Sequence, residues 1–219
     1  MGKVIAVANQ KGGVGKTTTG INLAASLARS QRTVLLIDID PQGNATVGSG
    51  VDKPDMAGTI YEVLIGESDI PATRVSTEAG YDLVPADGNL AGAQVELIDE
   101  IGRELKLRMA LSPIRDEYDY VLIDCPPALN VLTINALVAA DAVIIPMQCE
   151  YFALEGLTAL VTTIKKIRET LNPRLRIEGL LRTMFDGRNS LANEVSEQLQ
   201  EHFGDKVYRT IIPRNVRLA

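Results

Sequence analysis

With 219 residues, 46% of them apolar and 23% charged, the chain can bury a full hydrophobic core and fits a single soluble domain over residues 1–219. A net charge of −6 excludes a generally basic nucleic-acid binder, yet the charge is sorted along the chain: Glu96, Asp99, Glu100 and Glu104 face only Arg103 within 94–104, whereas Lys206, Arg209, Arg214 and Arg217 meet no acid within 206–219. Cys125 and Cys149 lack C-x-x-C spacing and the lone histidine is His202, which excludes a zinc site and leads us to expect a reducing cytoplasm.

The apolar run Val4 to Ala8 reads as a strand. It stops at Asn9-Gln10-Lys11-Gly12-Gly13-Val14-Gly15-Lys16-Thr17-Thr18-Thr19, after which helical periodicity begins. A strand that ends in glycines and turns into a helix aims several backbone N–H groups, and the positive end of the helix dipole, at one point. The loop is therefore expected to cradle phosphates through Gly12, Gly13, Val14, Gly15 and Thr18. Lys16 would reach the β- and γ-phosphates as a point charge, and the Thr17 hydroxyl would take one position on an octahedral Mg²⁺. Gln10 stands where the standard loop has its first glycine, and a second lysine, Lys11, follows it. Spacing alone does not bring Lys11 to the same phosphates.

A helix is predicted over 16–29, with Ile21, Ala24, Ala25 and Ala28 on one face, and a continuously apolar strand over 33–40 ends in Asp38 and Asp40. Ligands bind at the carboxyl ends of such strands. Two carboxylates there would be desolvated at a cost of several kcal/mol (order of magnitude) unless a cation or hydrogen-bond donors meet them, and Mg²⁺ beside the loop would supply the charge. Next come a helix near 59–65, a weaker strand near 81–85, one long helical stretch with Leu97, Ile101, Leu105 and Met109 four apart, and a buried strand over 120–124. Val121-Leu122-Ile123-Asp124-Cys125-Pro126-Pro127 is an apolar strand ending in an acid, the shape of a Walker B motif, in which Asp124 would hold a Mg²⁺-bound water.

A helix over 131–139, a strand over 142–146 and a strongly periodic helix with Leu154, Leu157, Leu160, Val161, Ile164, Ile167 and Leu171 come next, stopped by Asn172-Pro173. A strand over 177–184, a helix marked by Leu191, Val195, Leu199 and Phe203, and a strand over 207–212 complete the series. The longest apolar stretch, Val131 to Met147, is interrupted by Asn135, Asp141 and Pro146 and is too polar to span a bilayer. The alternation predicts an α/β fold, a mostly parallel sheet with helices on both faces, and the glycine loop after the first strand makes the P-loop NTPase type the expected one. The chain stops at Ala219 without a closing helix, so truncation at the C-terminus is expected.

The run Lys11-Gly12-Gly13-Val14-Gly15-Lys16-Thr17-Thr18 resembles the deviant Walker A motif of the ParA and MinD group of ATPases. Asp40-Pro41-Gln42-Gly43-Asn44 resembles the second motif of that group, and Asp124-Cys125-Pro126-Pro127 the ending found in partition ATPases. Glu150 to Leu157, Thr183 to Asp186 and Ile212 to Arg217 extend the likeness over nearly the whole chain, and it is strongest to the ParA/Soj type of chromosome- or plasmid-partition ATPase. The resemblance implies slow hydrolysis of ATP with Mg²⁺ and an ATP-bound homodimer. In that dimer Lys11 reaches the partner's nucleotide and assists catalysis with Lys16, while Asp40, beside the metal, positions the attacking water. It further implies Pro213 and Asn215 beside adenine, a stimulating ParB-type partner, and non-specific binding of duplex DNA through Arg188 and Arg217. The expected place is the cytoplasm, on the nucleoid in the ATP state. A MinD-like membrane switch would need a C-terminal amphipathic helix, which is not in the sequence, and a metal-cluster carrier would need paired cysteines near its C-terminus. A metabolic ATPase on the same loop is the other rival.

Overall fold

The structure is a computed structural model that describes residues 2–52, 55–151 and 153–215. Among these, strands β1 (Lys3–Val7), β2 (Val34–Asp38), β3 (Val75–Ser76), β4 (Asp82–Val84), β5 (Tyr120–Asp124), β6 (Ala142–Gln148), β7 (Arg176–Phe185) and β8 (Val207–Pro213) form one sheet in the order β3-β4-β2-β5-β1-β6-β7-β8. Every neighbouring pair runs parallel except β3, which adds to β4 antiparallel as a two-residue edge. The connecting helices are α1 (Lys16–Arg29), α2 (Asn44–Gly48), α3 (Ile60–Ile65), α4 (Ile70–Thr73), α5 (Leu90–Glu96), α6 (Lys106–Leu111), α7 (Val131–Ala139), α8 (Ala153–Thr170) and α9 (Ser190–Phe203). This is the expected mostly parallel α/β fold.

The central strands are apolar on both faces because both are covered. Val4 and Ala6 of β1, Leu35 and Ile37 of β2, and Val121 and Ile123 of β5 enter the larger core with residues of α3, α5, α6, α7, α8 and α9. The residues between them, Ile5, Leu36 and Leu122, enter the smaller core beneath α1 and α2. The period-two alternation thus sorts each strand between two cores. α1 packs on the sheet at Gly20, where a Cβ would make ordinary van der Waals contact with Leu36 (3.7 Å) and Asp124 (4.0 Å). Strand β1 lies between β5 and β6, so the chain leaving it meets the crevice where strand order reverses, the usual ligand position in open α/β sheets.

One expectation is overturned. Leu97, Ile101, Leu105 and Met109 do not line one long helix: α5 ends at Glu96, and α6 begins only at Lys106. Gly102 between them takes φ +75°, outside the helical region, and Ile101 and Met109 face solvent. The second helix starts afresh because the buried Asn135 of α7 accepts from Leu107 N (3.1 Å) and donates to Arg103 O (2.8 Å). A side chain from another helix provides the cap that local sequence lacks. The short elements α2, α4 and β3 have no counterpart in the sequence periodicity, and β6 runs two residues beyond the expected 146.

Candidate active site

The loop between β1 and α1 opens on a cavity of about 530 Å³ at the carboxyl end of the sheet. Gly13 (φ +70°) and Gly15 (φ +83°) take left-handed conformations that direct the chain into α1. A Cβ on Gly12 or Gly13 would meet nothing within 4 Å, so open space rather than packing surrounds them. Gly15 caps α1 without a side-chain hydrogen bond, leaving first-turn N–H groups for a ligand. Lys16 is buried and its Nζ donates to Lys11 O (3.0 Å), which curls the side chain over the loop. Burial lowers its pKa, opposed by the charges of Asp124, Cys125 and Asp40.

Below the loop, Thr17 Oγ1 donates to Asp124 Oδ2 (2.7 Å), whereas Asp124 Oδ1 is buried without a hydrogen-bond partner. An orphaned carboxylate oxygen beside a hydroxyl is the donor set that a hydrated Mg²⁺ takes, so these residues fit the ion expected from the sequence. Burial, and then the charge of Asp38, pushes the Asp124 carboxyl up to about 7. Asp38 and Asp40 have different surroundings. Asp38 is fully buried and accepts from Thr46 N (2.8 Å), Thr46 Oγ1 (2.8 Å) and Asp40 N (3.1 Å), so donors rather than a cation meet it and it braces the turn into α2. Its desolvation still raises the carboxyl to about 6. Asp40 lines the cavity and accepts from Gln42 N (3.0 Å) in a local turn. Gly43 at φ +64° completes that turn, where a Cβ would lie 2.8 Å from Ala86 O.

The loop's departures from the standard motif have tertiary partners. Asn9 donates to Pro146 O (2.8 Å), and Gln10 donates to Gly156 O (2.8 Å), so the residue replacing the first glycine ties the loop to α8. Lys11 turns away from the cavity, and its Nζ pairs with Glu150, with both side chains well exposed. Val14 is buried; only its backbone serves the loop, and its carbonyl accepts from Thr183 Oγ1 (2.8 Å).

Gly12, Gly13, Gly15, Lys16, Thr17, Thr18, Asp40, Pro213 and Asn215 are brought to one cavity; Asp124 meets it through Thr17, whereas Val14 and the side chain of Lys11 are not in its lining. Arg188 is not among them: it stands exposed at the start of the turn into α9, where Nε (2.9 Å) and Nη2 (2.8 Å) hold both oxygens of Asp186. Arg217 lies outside the described residues. The cavity wall also includes Gln42, Asn44, Pro127, Thr183, Met184 and Arg214. Gln42 and Asn44 belong to the second motif, where the sequence alone gives them no role. Met184 has φ +48°, a strained conformation for a side-chain-bearing residue and one that collects at functional sites; no local sequence signal announces it.

Residues 2–177 match the family model described as an AAA domain. The chain is 52% identical to the sporulation initiation inhibitor protein Soj of Bacillus subtilis, over 100% of this chain and 87% of that protein. It is 54% identical to the chromosome partitioning protein ParA of Caulobacter vibrioides, over 99% of this chain and 82% of the relative. Among solved structures, cobyrinic acid a,c-diamide synthase of Mycobacterium smegmatis with bound ATP analog and magnesium superposes with a TM-score of 0.93 at 41% identity, covering 98% of this chain and 88% of that one. On these matches, together with the loop, the two acid-ended strands and the sheet order, the chain belongs to the ParA/Soj family of partition ATPases.

Proposed function

We propose that the protein is an ATP-driven dimerisation switch that hydrolyses ATP slowly, binds duplex DNA without reading its sequence, and partitions a chromosome or plasmid under the control of a ParB-type partner. The observation that carries the ATPase reading is the orphaned Asp124 Oδ1 beside Thr17, at the foot of an open glycine loop. When bound, Mg²⁺ would neutralise the charge that develops during transfer to water. Loop N–H groups hold the phosphates, Lys16 withdraws its Nζ from Lys11 O to meet them, and Thr17 and Asp124 hold the ion. Asp40, at the cavity edge, orients the attacking water. Pro213 and Asn215 close the cavity at the adenine end. This chemistry is positioning and charge stabilisation more than covalent work.

The second lysine supports the dimer. Lys11 is not used by its own cavity and is held at the surface by Glu150, from which a second subunit's nucleotide would draw it. Two joined subunits double the DNA phosphates met by Arg188 and by the basic segment that includes Arg217, so weak single contacts add steeply. The ATP state would then sit on the nucleoid, in the cytoplasm.

The name carried by the Mycobacterium smegmatis structure favours a second reading, a synthase acting on cobyrinic acid through the same cavity. Phosphate release from Mg²⁺·ATP, measured with duplex DNA or with cobyrinic acid, tests the two. The switch reading expects hydrolysis without an acceptor and ATP-dependent retention of any duplex, lost at high salt. Hydrolysis that requires cobyrinic acid would contradict it.

A further inference from the structure

We infer that a second anion site, built for a terminal phosphate group, lies at the amino end of the sheet, the pole opposite the nucleotide cavity. A cavity of about 170 Å³ opens there, where α6, α7 and α8 end and β1 and β6 begin, and Arg108, Arg115 and Arg174 help to line it. That volume is the liquid share of about five or six waters, room for a group of about five heavy atoms. It shares no residue with the nucleotide cavity.

Helix ends leave carbonyls bare and attract cations, which would by itself account for arginines here. That need is met by another side chain. The buried Asn172 Nδ2 donates to Leu137 O (3.1 Å), Val138 O (3.1 Å) and Ala140 O (2.6 Å) at the end of α7. Arg115 is engaged, with Nε donating to Gly2 O (2.9 Å) and Nη2 paired with Asp141, which also accepts from Val4 N (2.8 Å). Arg108 uses one N–H, from Nη1 to Leu171 O, at 3.3 Å. Arg174 makes no hydrogen bond or ion pair among the described residues and acts on Asp141 through its charge alone. Two guanidinium groups therefore keep donors free at the cavity.

Charge selects the ligand. The three arginines outnumber the two acids of the lining, Asp116 and Asp141, and the segment that carries Arg174 adds Lys165, Lys166, Arg168 and Arg176 against Glu169 within residues 165–176. In a chain of net charge −6 this is a local reversal of sign, and its field draws anions. Guanidinium forks match pairs of phosphate oxygens, and Arg108 and Arg174, both exposed, hold theirs at the rim. Inorganic phosphate or a phosphate monoester brings nearly two charges and three oxygens for these donors. A diester, the unit of a nucleic-acid backbone, brings one charge and carries substituents on two of its oxygens.

The test uses the full chain saturated with Mg²⁺ and ADP, so that the glycine loop is filled, and titrates inorganic phosphate against chloride of equal ionic strength. The melting temperature should rise with phosphate along a saturable curve, from which the affinity is read. The Arg108→Ala/Arg174→Ala double variant, which shortens two exposed side chains, should bind phosphate at least about tenfold more weakly. The Lys165→Ala/Lys166→Ala variant, altered at two exposed lysines outside the lining, should stay within about twofold of wild type. Dimethyl phosphate, the diester probe, should bind at least about tenfold more weakly than phosphate. A rise no greater than chloride gives, an unchanged affinity in the arginine variant, or an equal loss in both variants would overturn the site. Equal binding of dimethyl phosphate would overturn it too, by assigning the arginines to a nucleic-acid backbone.

Discussion

Among the described residues Lys16 is the lysine whose ammonium lies over the glycine loop, so Lys16→Ala should abolish tight ATP binding in isothermal titration. Binding at wild-type affinity would remove the loop's assigned role. Asp38 and Asp124 carry a pH signature. Their folded pKa values, about 6 and about 7, lie above the ordinary 3.8, so between about pH 4 and 7 the folded chain holds protons that the unfolded chain has released. Stability of the nucleotide-free protein therefore falls as pH rises through this window, and levels off above it. Thermal melts at stepped pH should show a Tm that declines from about pH 5 to 7.5, with a shallower decline in Asp124→Asn. The split between Asp38 and Asp40 was not legible in Asp-Ile-Asp. Both end the same strand, and only the fold sets Thr46 against the first while leaving the second at the cavity.

At the scale of elements, the glycine loop and the two acid-ended strands were legible because their chemistry is local: glycine conformation, helix start and strand end succeed one another in sequence. What holds Lys11 was not, because Glu150 approaches from the β6–α8 connection, far away in the chain. The misread helix over 97–109 has the same cause in reverse. Its spacing is helical, but Gly102 breaks it and Asn135, from another element, caps the start of α6. Asn135→Leu leaves the buried Leu107 N and the half-buried Arg103 O without these partners and should cost about 1–3 kcal/mol in urea unfolding. The nucleotide cavity would keep its ligands, so ATP affinity of the folded fraction should be unchanged. A destabilisation below about 0.5 kcal/mol would mean that the cap is not what starts α6.

For the whole molecule, a net-acidic chain is proposed to hold a polyanion, which requires cations gathered on one face to act together. Arg188 is already paired with Asp186, whose carboxyl that guanidinium holds down at about 2, so DNA must compete for it. Arg188→Glu should weaken ATP-dependent binding equally for unrelated duplexes, and Arg188→Ala should lower the salt slope by about one for each DNA phosphate that the arginine no longer neutralises. Unchanged affinity and slope would move the DNA face elsewhere. Each of these effects presupposes two subunits joined by nucleotide. The most direct test is sedimentation of the wild-type chain and Lys11→Ala with Mg²⁺ and either ATP or ADP. The account predicts a dimer for wild type with ATP alone, and a monomer that still binds ATP for Lys11→Ala; a Lys11→Ala chain that dimerises as fully as wild type would contradict it.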